Sequence, residues 1–317
     1  MKILTAIALI AAVAVVPAAP AAAACTWRVT PLPVPAPAKY SYAVAHGVAA
    51  SGASIVGHVV RADGSGWDAV LWRNGILEVL PKPPFKGEGS NRAFIVNDQG
   101  VIAGVWWGDV NDPVRAWRYR NGVYEILPMP SWTMGISLAG INGAGDIIGG
   151  AHSILGNSEG LLWKAATPGY TSLGSSIMPV GIDDSGRIVL NTRVIVNPDG
   201  SRITLPRPVF MRLYDRGRIL TEDLDRNTVV EWNISGQVVR EFAGTFPHAV
   251  TTAGVMVAIQ PGAARTVAVR NGSAWEQFAS RISSAEGITE TNVIVANFDH
   301  DGTVQTEPVA GTWLRGC

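Results

Sequence analysis

Three groups of residues in this 317-residue chain have types and spacings that could do chemistry. The first is an oxygen-rich run, Asn297-Phe298-Asp299-His300-Asp301-Gly302. Alternating oxygen ligands followed by Gly match the start of a calcium loop, with Asn297, Asp299 and Asp301 as ligands. Gln305 and Pro308 stand where later carboxylates belong, so an acidic hairpin turn also accounts for the run. Asp223, Asp225, Asn227 and Glu231 make a weaker case, because no Gly follows. The second group is the carboxylates Asp68, Glu88 and Asp109, which would suit glycosidic-bond cleavage if they converged. The third is the five histidines, at 46, 58, 152, 248 and 300, and none has a zinc-type His-x-x-x-His spacing. His46 and His248 take equivalent places in two repeats, so they either face a central channel or pack within strands. There is no Gly-x-Ser-x-Gly elbow and no phosphate-binding loop.

The elements that position these residues follow from a repeat. Val96-Asn97-Asp98-Gln99-Gly100-Val101-Ile102-Ala103-Gly104 recurs as Ile141 to Gly149 and as Ile182 to Val189. Each copy is an apolar strand, a tight turn and a second apolar strand. Asn and Asp tolerate left-handed backbone, and Gly reaches it without steric cost. After the second copy, Val114 to Arg120 alternates, Asn121-Gly122 is a preferred two-residue hairpin turn, and Val123 to Leu127 ends at Pro128. One unit is therefore four antiparallel strands. The turn glycines 52, 100, 145, 186, 217 and 254 lie 31 to 48 residues apart, the length of a propeller blade. The chain reads as all-β, a seven-bladed β-propeller, with six blades as the alternative because the later units are weak. Trp72, Trp117, Trp163, Trp232 and Trp313 recur at one strand position and read as packing between blades. The turn residues Asn97, Asp98, Asn142, Asp183, Asp184 and Asp215 read as turn formers rather than as a catalytic ring.

The termini fit the same scheme. Lys2, the apolar run Ile3 to Val16, Pro17 and the small residues up to Ala24 have the layout of a secretory signal peptide. Its apolar run is too short to span a bilayer. Residues 1–24 are read as removed on export, leaving 25–317 as a single propeller domain. The seventh unit lacks a fourth strand, and Thr26 to Pro33 resembles the strands ending Leu80-Pro81 and Leu127-Pro128. The last blade is thus completed by the N-terminal strand. Cys25 and Cys317, the only cysteines, then fall at its final hairpin turn, where a disulfide would close the ring. The competing reading is a lipid anchor on Cys25.

The repeats resemble the HAF-type extracellular repeats of bacterial secreted proteins. That pattern is apolar–Ile–Asn–Asp–x–Gly–x–Val–x–Gly followed by His-Ala-Phe-x-Trp. The first part is well kept at Ile141 to Gly149 and Val96 to Gly104. The second is weakened to Trp67 to Trp72, Arg115-Ala116-Trp117 and Gly160 to Trp163. The resemblance implies a secreted, propeller-like protein and carries over no catalytic residue.

Lys+Arg and Asp+Glu are equal at 25 each, so no global field favours nucleic acid or an anionic membrane. Turns between first and second strands, and between third and fourth, are short throughout. The opposite connections are long and variable, and such loops on a repeated frame are where ligands bind. They carry Trp67, Phe85, Lys86, Trp107, Asp109, Trp132 and His152, which form the candidate ligand-binding set. Aromatics beside charges suit a sugar or a protein surface. The expectation is an exported, monomeric, non-catalytic propeller that binds an extracellular glycan or protein and needs no organic cofactor. A polysaccharide hydrolase or lyase is the alternative.

Overall fold

The computed structural model describes residues 26–35, 38–108, 114–260, 266–278, 282–299 and 308–316. Strand β1 (Thr26–Pro31) opens the chain. Blade 1 is β2 (Tyr40–Val48), β3 (Ser54–Arg61), β4 (Trp67–Arg73) and β5 (Ile76–Val79). Blade 2 is β6 (Ser90–Val96), β7 (Ile102–Trp107), β8 (Arg115–Arg120) and β9 (Val123–Leu127). Blade 3 is β10 (Gly135–Ile141), β11 (Ile147–His152), β12 (Ser158–Trp163) and β13 (Thr171–Ser175). Blade 4 is β14 (Pro179–Ile182), β15 (Ile188–Leu190), β16 (Val194–Val196) and β17 (Arg202–Thr204). Blade 5 is β18 (Phe210–Asp215), β19 (Arg218–Asp223), β20 (Thr228–Trp232) and β21 (Val238–Ala243). Blade 6 is β22 (Thr245–Val250), β23 (Met256–Gln260), β24 (Thr266–Asn271) and β25 (Ala274–Gln277). Blade 7 is β26 (Ile282–Ile288), β27 (Ile294–Asp299) and β28 (Pro308–Gly316), with β1 as its outermost strand. The blade count is therefore seven, and the six-blade alternative falls.

Burial follows position in the blade. The second strands β3, β7, β11 and β15 are buried along nearly their whole length, so they read as continuous apolar runs. The outer strands β5, β9, β13 and β17 are mostly open to solvent. Trp72, Trp117, Trp163, Trp232 and Trp313 are almost wholly buried, as their recurrence suggested. Their indole N–H groups explain the Leu-Pro strand ends. Trp72 donates to the Pro33 carbonyl at 2.8 Å and Trp163 to the Pro128 carbonyl at 2.7 Å, each across a blade seam. In the next seam Tyr124 takes the Pro81 carbonyl instead, at 2.6 Å, and the Trp117 indole N–H is left without a partner.

The repeat's turn residues are also accounted for. Asn97 Oδ1 accepts Val101 N–H, Asn142 Oδ1 accepts Asp146 N–H, and Asp183 Oδ1 accepts Arg187 N–H. The second turn residue reaches the neighbouring blade. Asp98 accepts from Ser51 N–H at 2.9 Å, Asp184 from Gly143 N–H at 2.6 Å, and Glu290 from Thr252 N–H at 3.2 Å. These carboxylates are seam staples, which is why the short-turn end is uniform.

A register slip recurs on the innermost strands at His46, Phe94, Ala139, Val180, Arg212 and Glu286, and before Ala249 in blade 6. Such a bulge re-aims one side chain. It also explains the last Gly of the repeat. A Cβ on Gly104 would lie 2.2 Å from the Arg92 carbonyl, and one on Gly149 would lie 2.3 Å from the Ser137 carbonyl.

The ring closes where β1 pairs with β28, from Thr26 opposite Gly316 to Pro31 opposite Gly311. Cys25 and Cys317 lie outside the described residues. Each adjoins one end of that outermost residue pair, and we propose that they form the closing disulfide. Non-reducing mass spectrometry of the exported protein should find no free thiol. Replacing both cysteines by Ser should lower unfolding stability by roughly 3–5 kcal/mol. Two free thiols in the exported protein would contradict the pairing.

Candidate functional site

The long-loop end carries a cleft of about 430 Å³ between blades 1 and 2. Blade 1 supplies Tyr40 at the start of β2, Arg61 at the end of β3 and Asp68 at the start of β4. Blade 2 supplies Asn91 from β6 and Trp106 from β7, and the loop between the blades supplies Lys82 and Glu88. Asn91 and Trp106 are direct cross-strand partners, so their side chains emerge side by side from one sheet face. Both are buried, at 5% and 1% exposure, yet Asn91 Oδ1 and Trp106 Nε1 have no hydrogen-bond partner. Leaving such a group unmade costs about 1–3 kcal/mol each. Asn91 and Trp106 thus line the cleft with one unused acceptor and one unused donor, both closed off from solvent. Gly89 permits this, because a Cβ there would lie 2.5 Å from the Trp106 ring.

The charges around the cleft balance, with Lys39, Arg61 and Lys82 facing Asp63, Asp68 and Glu88. Asp68 is fully engaged. Arg61 donates to its Oδ1 through Nε at 3.1 Å and Nη2 at 2.5 Å, and the Tyr40 hydroxyl donates to its Oδ2 at 3.0 Å. Lys82 lies 2.9 Å from Glu88 and holds that carboxyl below its ordinary range. A glycosidic general acid needs the opposite shift.

Where β4 of blade 1 meets β6 of blade 2 lies a second group. The Arg92 guanidinium sits 3.5 Å from the Trp67 ring centroid and 5.4 Å from that of Trp107. The two indoles meet edge to face at 6.3 Å, and Phe94 meets Trp107 at 6.1 Å. His46 stacks on Phe94, and its Nε2 lies 2.8 Å from His58 Nδ1. Burial first, then the Arg92 charge, holds His46 down to about 4. His58 is held lower still, by burial, then His46, then Arg92.

The bulge residues His46, Phe94, Ala139, Val180, His248 and Glu286 line an axial cavity of about 330 Å³. His46 and His248 therefore do face the channel, and Glu286 joins them at the equivalent place. Burial raises the Glu286 carboxyl, which accepts from Ser284 Oγ at 2.5 Å and Asn297 Nδ2 at 3.0 Å. Asn297 also clasps Ala45, accepting from its N–H at 2.9 Å and donating to its carbonyl at 3.0 Å. Of the calcium set, only the Asn297 side chain is described, and it serves the joint between blades 7 and 1. The side chains of Asp299 and Asp301 lie outside the described residues. Among the described residues, no group of three His, Cys, Asp or Glu is placed to hold a metal.

The structure divides the candidate ligand-binding residues. Trp67 and Trp107 come together, half-buried, around Arg92. Phe85 packs on the cleft residue Trp106, with centroids 5.0 Å apart. Lys86 and Trp132 are exposed and stand apart from the cleft. His152 ends β11, where its carbonyl accepts Met134 N–H at 2.9 Å. Asp109 lies outside the described residues. Sequence reasoning missed Tyr40, Asn91 and Arg92, while Trp106 stood out as an aromatic outside the recurring packing position. The available signal was Asn91, a polar residue at an inward position of an alternating strand.

No protein-family profile matches the chain, and no curated protein does. Solved structures do. An oligogalacturonate lyase in complex with manganese matches with TM-score 0.61 at 11% identity, over 92% of this chain and 96% of that one. A prolyl endopeptidase matches with TM-score 0.60 at 11% identity, over 87% of this chain and 47% of that one. A puromycin-hydrolysing peptidase of Mycobacterium tuberculosis matches with TM-score 0.55 at 11% identity, over 89% and 54%. The chain spans about half the length of the two peptidases. These likenesses establish the propeller fold and assign no residue. No helix among the described residues is long and apolar enough to cross a membrane.

The two histidines set a pH dependence. An unfolded histidine titrates near 6.5, and both folded values lie below it. Their contribution to stability is complete above about pH 6.5 and is lost as pH falls through the folded value near 4. At pH 5 the loss is about 2 kcal/mol for each histidine. Thermal midpoints from pH 7 to 4.5 should fall less steeply for His58→Gln than for the wild type. Equal slopes would refute the assignment.

Proposed function

We propose that this protein is an exported, non-catalytic propeller that binds carbohydrate in the cleft between blades 1 and 2. The observation that carries the reading is the unpartnered pair Asn91 Oδ1 and Trp106 Nε1. A sugar hydroxyl is both donor and acceptor, so hydroxyls that enter this wall can serve either atom. A carboxylate would satisfy the indole and leave the amide oxygen bare. The surrounding Tyr40, Arg61, Asp68, Lys82 and Glu88 supply further planar and charged partners for neighbouring hydroxyls. Matched charges at the rim favour a polar ligand without drawing in ions.

The hydrolase or lyase reading has Asp68 and Glu88 in the same cleft. It is disfavoured because Arg61 and Tyr40 occupy the first and Lys82 the second. Neither is free to deliver or accept a proton at a glycosidic oxygen. The secretory layout of residues 1–24 and the proposed Cys25–Cys317 disulfide support export.

The test is calorimetric titration of the exported protein with a panel of neutral and acidic oligosaccharides. At least one should bind. Asn91→Leu should weaken that binding roughly 5- to 150-fold, the worth of about 1–3 kcal/mol. Trp132→Ala, on an exposed loop away from the cleft, should bind as the wild type does. A folded protein that binds no member of the panel would overturn the reading. So would an Asn91→Leu variant with unchanged affinity.

A further inference from the structure

Asn91 Oδ1 and Trp106 Nε1 are closed off from solvent, so a ligand reaches them only if something moves. The connection between blades 1 and 2, residues 81–89, lies over the indole. Phe85 packs on the Trp106 ring with centroids 5.0 Å apart. A Cβ on Gly89 would lie 2.5 Å from Trp106 Cε2, the ring carbon bonded to Nε1. Lys82, Pro83, Glu88 and Gly89 also wall the cleft.

This loop is fixed at its ends and lightly held between them. At its start Leu80 N–H donates to the Ala69 carbonyl at 2.9 Å, and the Tyr124 hydroxyl donates to the Pro81 carbonyl at 2.6 Å. At its end Ser90 enters β6 opposite Trp107. Between the ends, the backbone bond among the described residues is Phe85 N–H to the Pro83 carbonyl at 2.7 Å. The other ties are weak. Lys82 meets Glu88 at 2.9 Å with side chains 45% and 88% exposed. Such a pair shifts an equilibrium by only about 1.5- to 5-fold. Arg61 donates to the Glu88 and Gly89 carbonyls at 3.3 Å each, longer than a usual N–H bond to oxygen. Arg61 does not depend on the loop, because Asp68 holds it. The Arg115 guanidinium stands 5.7 Å from the Phe85 ring. Gly87, at φ +87°, gives the loop a turning point that other residues rarely adopt. A segment with so few backbone bonds opens at low cost.

We infer that residues 82–88 are a lid on the cleft, with Phe85 as its plug over Trp106 and the Lys82–Glu88 pair as its latch. The lid is closed in this structure. It lifts about its ends at Pro81 and Gly89, and hydroxyls then reach Asn91 and Trp106. Its use as a gate rests on the cleft being a carbohydrate site.

Hydrogen exchange at the indole N–H groups reads the lid without any ligand. Trp117 is the control. Its Nε1 is also buried and unpartnered, but Tyr124 lies against its ring, with centroids 5.2 Å apart. Phe85→Ala should speed exchange at Trp106 roughly 4- to 12-fold, as expected for losing a half-buried Phe side chain. Lys82→Gln should speed it about 1.5- to 5-fold, and added salt should do the same to the wild type but not to that variant. Exchange at Trp117 should stay as it is in both variants. Trp106 exchange that ignores Phe85→Ala, or that rises in step with Trp117, would overturn the lid. With an oligosaccharide that binds, Phe85→Ala should speed association by the same factor as exchange, because the open fraction sets the rate. An unchanged association rate would overturn the gating and leave the cleft reading intact. A lid that opens on a folded protein that binds no oligosaccharide would overturn the cleft reading alone.

Discussion

Ring closure is the constraint on which the rest of this structure depends. A four-stranded blade has two apolar faces and must bury both against neighbours, so the first and last blades have to meet. They meet through β1, which leaves the start of the chain to become the outermost strand beside β28. Asn297 reinforces the seam from within by clasping both backbone groups of Ala45, 252 residues away. A blade missing its outer strand would expose one side of Trp313. Truncating a buried indole costs about 3–5 kcal/mol, and exposing one loses part of the same contribution.

Closure also divides the two ends of the ring. At the short-turn end, backbone geometry and seam bonds use the polar residues. Asn97, Asn142 and Asp183 close their own turns, and Asp98, Asp184 and Glu290 reach the next blade. At the long-loop end the connections differ from blade to blade and no such pattern repeats. There the seam between blades 1 and 2 departs from its neighbours. Tyr124 takes the Pro81 carbonyl in place of Trp117, Asn91 and Trp106 keep unused polar atoms, and the Arg92 guanidinium lies over the Trp67 ring.

The architecture was legible because it is repeated. Asn97 to Gly104 and Ile141 to Gly149 display turn, strand period and closing Gly together, and the recurring Trp marks the buried third strand. The split last blade was legible because Thr26 to Pro33 matches two other strand ends. The blade number was ambiguous where blades 5 to 7 replace the turn motif with Arg216-Gly217, Thr251-Thr252 and Thr289-Glu290. These keep the backbone shape with different side chains. The site was less legible. Loop composition pointed to Trp67, Trp107 and Phe85, which do flank the two polar groups at this seam. It also pointed to Lys86, Trp132 and His152, which stand apart. Asn91, Trp106 and Arg92 lie inside strands, where type alone does not separate a packed residue from one facing a cleft. Bulges had the same effect on Glu286, because one extra residue changes the face that a strand position occupies and leaves no mark in the alternation.

The Trp106 indole N–H is the most direct reporter of the central claim, since it is the donor a bound sugar hydroxyl would occupy. Its resonance in a nitrogen–proton correlation spectrum can be followed while oligosaccharide is added. The account predicts a saturable shift of that signal, in step with the calorimetric binding curve and absent in Asn91→Leu at the same concentrations. A carbohydrate that binds the folded protein while the Trp106 signal stays fixed would contradict it.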